Sequence, residues 1–225
     1  MNEIIKIMKY LKKFENHTQY EEARQNLILP NVSLCAQENE LHYNPYVDPY
    51  NGHAYVDLGL PSGTKWATMN VGANSETDYG NYYQYGKGAA QYAATSGDSN
   101  YSGTEDPLDS SVDTAVQVWG GSWHMPTRAQ MQELTANTTY QWVTNYKGSG
   151  INGGTFTATN GAVLFLPAAV CWVNGSQFDV GNYGSYWGSS PNGSNDAYDL
   201  SFDDGNKDVL NDGREDGFSV RPVVG

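Results

Sequence analysis

From Tyr198 to Asp203 the chain alternates strictly, and no other stretch limits its possible folds so sharply. Tyr198, Leu200 and Phe202 fall on one side of an extended backbone and Asp199, Ser201 and Asp203 on the other, the period of a half-buried strand. Asp204-Gly205-Asn206 follows, residue types that tolerate positive φ, and the chain returns through Asp208, Leu210 and Asp212. A hairpin of this kind sets its polar side chains on one shared outward surface. Binding, rather than catalysis, is what such a surface suggests.

Length and composition fit that reading. A chain of 225 residues can build one full core with a small appendage. Six Trp, 17 Tyr and 25 Gly suit a loop-rich, aromatic-cored α+β fold better than a helical bundle or a doubly wound sheet. The net charge of −13 argues against nucleic acid and anionic membranes as partners, because phosphate-binding surfaces cluster Lys and Arg. Much of the charge is local. Residues 196–216 hold seven Asp and one Glu against one Lys and one Arg, which also fits a merely solvated face.

The N-terminal residues Ile4, Ile5, Met8, Leu11 and Phe14 recur at helical spacing. They predict one amphipathic helix to about residue 25. Two short strands follow around Gln37-Glu38-Asn39. Residues 1–45 bury too little alone and are expected to serve assembly, as a homo-oligomer such as a trimer or as an attachment to a larger particle. Residues 46–53 form the connector, and residues 54–225 the main domain.

Within the main domain, strands are predicted at 54–58, 65–69, 141–146, 154–158 and 162–168, with a long surface loop over 86–111. A helix is predicted from Pro126 to Leu134, with Thr127 as N-cap and Gln130 in capping-box register. No apolar leader with a small-residue cleavage site opens the chain, and no stretch approaches the roughly 20 apolar residues that span a bilayer. Synthesis in the cytosol without membrane insertion is the expectation.

The sequence offers no enzyme. His17, His42, His53 and His124 lack the pairing of a transition-metal site. Cys35 and Cys171 suggest neither a disulfide framework nor a metal cluster. The Asp-rich hairpin carries hard oxygen ligands, but an EF-hand register places Leu200 and Phe202, or Leu210 and Ser219, at ligand positions. There is no nucleophile elbow, phosphate loop or dinucleotide fingerprint. No catalytic residue, metal or cofactor is assigned.

Several separated segments carry a resemblance, in order along residues 54–223. They are Val56-Asp-Leu-Gly-Leu-Pro-Ser-Gly-Thr-Lys-Trp-Ala-Thr68, Asn70-Val-Gly72, Tyr82-Tyr83, Trp119-Gly-Gly-Ser-Trp-His-Met-Pro-Thr127, Phe165-Leu-Pro-Ala-Ala169, Tyr186-Trp-Gly-Ser-Ser190 and Gly217-Phe-Ser-Val-Arg-Pro222. Together they resemble a family of Bacteroides-type surface and phage proteins with a C-type lectin-like fold, related to the formylglycine-generating enzyme. Its members include the variable proteins of diversity-generating retroelements, whose C-terminal segment is rewritten at adenines to change ligand specificity. The segment from Leu29 to Pro45 is similar to leaders of Bacteroides prophage structural proteins.

The resemblance implies a diversified ligand-binding segment at about 185–216. Variable positions in such proteins commonly descend from AAC codons. Gly188, Gly193, Asn195, Asp196, Asp199, Ser201, Asp203, Asp204, Asp208, Leu210, Asn211, Asp212, Gly213 and Asp216 are compatible with that origin, whereas Lys207 and Glu215 are not. Trp66, Trp119, Trp123, Tyr198, Leu200, Phe202, Phe218 and Val220 are expected to hold the scaffold. Tyr186 and Trp187 would stand at the margin of the binding surface as core or as aromatic anchors.

The implied role is receptor binding by a phage of a Bacteroides-type host, with a host-surface protein or glycan as ligand. The protein would be virion-associated, or alternatively at a cell surface. The sugar-binding signatures of calcium-dependent lectins and the cysteine pair of the formylglycine-generating enzyme have no counterpart here. A non-variable structural or adhesin-like decoration subunit is the alternative from another class, and a degenerate enzyme is the third.

Overall fold

The computed structural model describes residues 51–89, 101–169, 171–173, 176–178 and 180–225. The chain divides into two units, Met1–Tyr46 and Val47–Gly225, and the described residues belong to the second. The helix and hairpin expected over 1–45 and most of the connector therefore lie outside them.

The described unit is α+β, built from small antiparallel sheets with two helices among the described residues. Strands β1 (Tyr55–Val56) and β2 (Lys65–Ala67) pair with β13 (Val223–Val224), so the start and end of the unit share a sheet. A second sheet has the order β3 (Tyr83–Gln84), β12 (Gly217–Phe218), β7 (Cys171–Val173), β8 (Ser176–Phe178). A third joins β4 (Thr138–Val143), β5 (Gly153–Ala158) and β6 (Val163–Pro167). The fourth has β10 (Asp196–Asp203) in the centre, between β9 (Tyr183–Asn192) and the edge strand β11 (Lys207–Gly213).

Helix α1 (Thr114–Trp119) is short and was not signalled by any periodicity. The buried carboxylate of Asp113 makes it possible, accepting from the backbone N–H of Val116 at 3.0 Å and of Met125 at 3.0 Å. Helix α2 (Arg128–Asn137) starts as its capping box dictates. Thr127 Oγ1 accepts from Gln130 N at 3.2 Å, and Gln130 Oε1 accepts from Thr127 N at 2.9 Å. Two otherwise orphaned donors are thereby satisfied. The helix runs straight into β4, which begins at Thr138 and ends before Asn145 takes left-handed geometry with φ of 52°. That direct passage is why the strand expected at 141–146 is displaced toward the N-terminus.

Two hydrophobic clusters form the core. Trp66, Met131, Leu134, Phe156, Tyr186, Leu200 and Phe202 make one. Trp119, Trp123, Trp187, Ala197, Phe218 and Val220 belong to the other. Fully burying a side chain the size of Phe202 contributes about 1.5–3 kcal/mol. The sheet β9–β10–β11 supplies residues to both clusters, so the expected scaffold residues are buried, except that Tyr198 is half-buried beneath Arg128, whose guanidinium lies 4.1 Å from its ring centre.

A buried polar network ties the second half of the unit to the first. Arg221 donates from Nε to Asn70 Oδ1 at 2.7 Å and from Nη1 to the Ala67 carbonyl at 3.0 Å. Asn70 in turn donates to the Tyr79 carbonyl, and Tyr186 donates to the Pro167 carbonyl at 2.6 Å. Burial pushes the Arg221 guanidinium down to about 10. The Asn70 and Arg221 of the sequence motifs are thus partners across the core. No helix among the described residues is long and apolar enough to cross a membrane.

Candidate functional site

The hairpin is real, and its register sets its chemistry. Ala197 stands opposite Asp212, Asp199 opposite Leu210 and Ser201 opposite Asp208, so these residues share one face of the sheet, as the alternation predicts. Across the other ladder Asp199 faces Trp187, Ser201 faces Ser185 and Asp203 faces Tyr183, with a bulge between Ala197 and Asp199. Tyr183 and Ser185 therefore join the same face. Neither was singled out from sequence, although their i, i+2 spacing with Trp187 carries the signal.

Exposure divides the sheet on both of its sides, Asn211 and Asp196 lying on the side away from Asp199. On the edge strand and the turns, Gly193, Asn195, Asp204, Asp208 and Asn211 are exposed, and Leu210 is 43% exposed. Asp196, Asp203, Asp212, Gly213 and Asp216 are half-buried. Asp199 and Ser201, expected to point outward, are instead buried at 0% and 3% exposure. The reason is position. β10 is the central strand, and Ala197 and Trp187 on this side of it belong to the second core cluster, just as Leu200 and Phe202 belong to the first.

One further expectation changes and another is settled. Gly188 is buried, and a Cβ there would lie 2.4 Å from Met131 Cε, 2.8 Å from the Pro126 carbonyl and 3.1 Å from the Tyr198 carbonyl. It is therefore a close-packing glycine unsuited to variation. Of the two roles expected for Tyr186 and Trp187, both take the core one. Tyr186 is locked by its hydroxyl, and Trp187 stacks on Phe218 with centroids 4.2 Å apart and donates Nε1 to the Tyr83 carbonyl at 2.9 Å. Gly193 has open space around it but holds φ of 72°, and a Cβ at Gly213 would meet the Glu215 carboxylate. Substitution at Gly193 is thus strained by its backbone alone.

The turn after β10 is internally braced. Asp203 Oδ1 accepts from Asn206 N at 2.9 Å and from Asn206 Nδ2 at 3.0 Å, while Tyr140 Oη donates to the Asp203 carbonyl. Arg214, also missed from sequence, is fully buried at the other end of the hairpin. Its guanidinium donates to the carbonyls of Asp196, Gly193, Tyr101 and Gly103 and lies over the Tyr85 ring. One buried cation thereby fixes the turn that carries Asn195.

Electrostatically the face is acid held under strain of burial. Asp199 Oδ2 accepts from Ser201 Oγ, and Oδ1 has no hydrogen-bond partner. Burial pushes this carboxyl up to about 7, opposed by the Ser201 hydroxyl and reinforced by the charge of Asp212 and Asp216. Burial likewise raises Asp212, with Asp196 adding to it, and lifts Asp216 to about 6 beside Glu215 and Asp212. The Tyr183 phenol is raised by the same burial and by Asp199, Asp212 and Asp203.

The chain matches no family model, no curated protein and no solved structure. Geometry must therefore carry the assignment. His53 stacks on Trp119 at 3.6 Å and His124 Nδ1 lies 2.9 Å from the Met125 carbonyl, so neither belongs to this face. Among the described residues no three His, Cys, Asp or Glu side chains converge as a metal centre requires. What remains is a rigid floor with an acidic, exposed edge strand and two exposed turns. Such an arrangement offers contact and charge.

Proposed function

We propose that the unit from Val47 to Gly225 is a C-type lectin-like ligand-binding domain whose edge strand and turns form a surface diversified by a retroelement, used for host attachment by a phage of a Bacteroides-type host. The observation that carries the reading is the sharp division within one sheet. Trp187, Leu200 and Phe202 are buried to within 1%, while Asp208, Leu210 and Asn211 on the neighbouring strand are exposed. Exposed substitutions usually change stability by no more than about 0.5 kcal/mol, so such an edge can vary while its floor stays constant. The small antiparallel sheets, two helices and long irregular connections are compatible with the lectin-like architecture.

On this reading the contact residues are Asn195, Asp196, Asp203, Asp204, Asp208, Leu210, Asn211, Asp212 and Asp216. The buried Gly188, Asp199, Ser201, Tyr186 and Trp187 lie behind them. The protein acts by binding and not by catalysis, and the N-terminal segment joins copies or seats them on a particle. The test is binding of the labelled protein to a panel of Bacteroides-type cells. Replacing Asp208, Leu210 and Asp212 together by Ala should abolish binding to a cell type the parent binds and leave the Tm nearly unchanged. Retention of binding by that variant would overturn the proposal in favour of a decoration subunit.

A further inference from the structure

Arg128 opens helix α2, and its side chain is placed by what surrounds that start. Gly188 has no Cβ, which lets Pro126 and Met131 approach the sheet beside the Tyr198 carbonyl. Ser190 Oγ accepts from Arg128 N at 3.0 Å, and Thr127 Oγ1 accepts from Gln130 N. Met131 and Leu134 bury in the cluster that holds Leu200 and Phe202. The helix therefore starts on the side of the sheet away from Asp199. There the exposed Arg128 lays its guanidinium 4.1 Å from the Tyr198 ring centre.

The stack fixes the plane of the guanidinium and uses none of its N–H donors. Among the described residues no carboxylate pairs with it and no acceptor takes its hydrogen bonds. Asp196 shares this side of the sheet without reaching it. The other cations of the hairpin are placed differently. Arg214 gives its guanidinium to four carbonyls, and Lys207 stands at the far end of β11, opposite Phe202. A planar fork held flat at a surface is the group that takes an oxyanion in two parallel hydrogen bonds.

We propose that Arg128, stacked on Tyr198, binds the carboxylate of an acidic sugar in the ligand. The proposal rests on reading this hairpin as the ligand-binding face. It adds a contact from outside residues 185–216, one that stays constant while the edge varies. Tyr198 Oη donates to Asn192 Oδ1 at 3.4 Å, and Asn211 stands opposite Tyr198 in register. Amides thus flank the guanidinium, and the exposed Asn195 lies on the adjoining turn. Each amide offers a donor and an acceptor, the pairing that sugar hydroxyls need. The surrounding charge decides between ligand classes. A net charge of −13, with Asp196 on the same side, repels an acidic protein surface or a polyphosphate. A single carboxylate among neutral hydroxyls meets the one guanidinium with little of that repulsion.

The test applies the full chain to an array of oligosaccharides bearing uronic or sialic acids, each beside its carboxyl-reduced counterpart. An oligoglutamate peptide and inorganic phosphate are the further arms. An acidic oligosaccharide should bind about tenfold or more tightly than its reduced form. Arg128→Gln should lose about tenfold of that affinity, and Arg128→Lys, which keeps the charge without the fork, should recover only part of it. Both variants should melt close to the parent, since Arg128 is exposed. Binding of no acidic sugar, equal binding of the reduced form, equal or tighter binding of the peptide or phosphate, or undiminished binding by Arg128→Gln would each overturn the proposal. The diversified-surface reading stands or falls separately, on where coding changes fall and on the cell binding of the Asp208, Leu210 and Asp212 variant.

Discussion

Asp199 shows how one residue can follow its strand's pattern and still change its role. It sits on the predicted face, yet burial makes it a proton carrier. Its carboxyl is raised from about 3.8 to about 7, so between those limits the folded state holds a proton that the unfolded chain has released. Stability is greatest below the lower value and falls as pH rises to the upper one. Asp199→Asn removes that slope, and its Tm relative to the parent should therefore rise between about pH 4 and about pH 7; equal pH dependence in both proteins would refute the assignment. Asp216, raised to about 6, should add a loss of the same sign over a narrower window and hence of smaller total size. Gly188 supports a second prediction. Gly188→Ala forces a Cβ against the Pro126 carbonyl and Met131 and should cost about 1–3 kcal/mol by denaturant unfolding, whereas a neutral result would return it to the positions open to variation.

At the scale of elements, the hairpin and the capped helix were legible in the residues because both depend on local periodicity and local hydrogen bonds. The alternation at 198–203 gave the strand and the shared face, and Thr127 with Gln130 gave the helix start. Burial of that face was not legible, since it depends on β10 becoming the central strand between two clusters that draw on residues as distant as Trp66 and Phe218. Helix α1 was hidden for a similar reason: its cap, Asp113, is held by Met125 from beyond the helix as well as by Val116. Thr127→Ala should lower stability by about 1 kcal/mol. The loss should be larger than for a cap with local partners only, because Gln130 also donates to Thr64 at 3.1 Å. A change below a few tenths of a kcal/mol would show the capping box to be redundant.

Across the whole molecule the separation of floor from edge is what links fold to function. The floor is tied by the Arg221–Asn70–Tyr186 network and by Arg214, and substitutions there leave buried polar groups unpaired. The edge strand leaves Asp208, Leu210 and Asn211 exposed, while its Val209 packs on the first cluster. If residues 1–45 join copies, the full chain should run as an oligomer in light scattering, which would multiply weak contacts through avidity; a monomer at micromolar concentration would remove that part of the account. The measurement that bears most directly on the central claim is deep sequencing of the coding segment for residues 185–216 across a growing population and related isolates. The account predicts changes confined to adenines at the exposed and half-exposed positions such as Asn195, Asp204, Asp208, Leu210, Asn211 and Asp212, with Trp187, Gly188, Leu200 and Phe202 constant. Changes scattered evenly over floor and edge, or absent altogether, would contradict it.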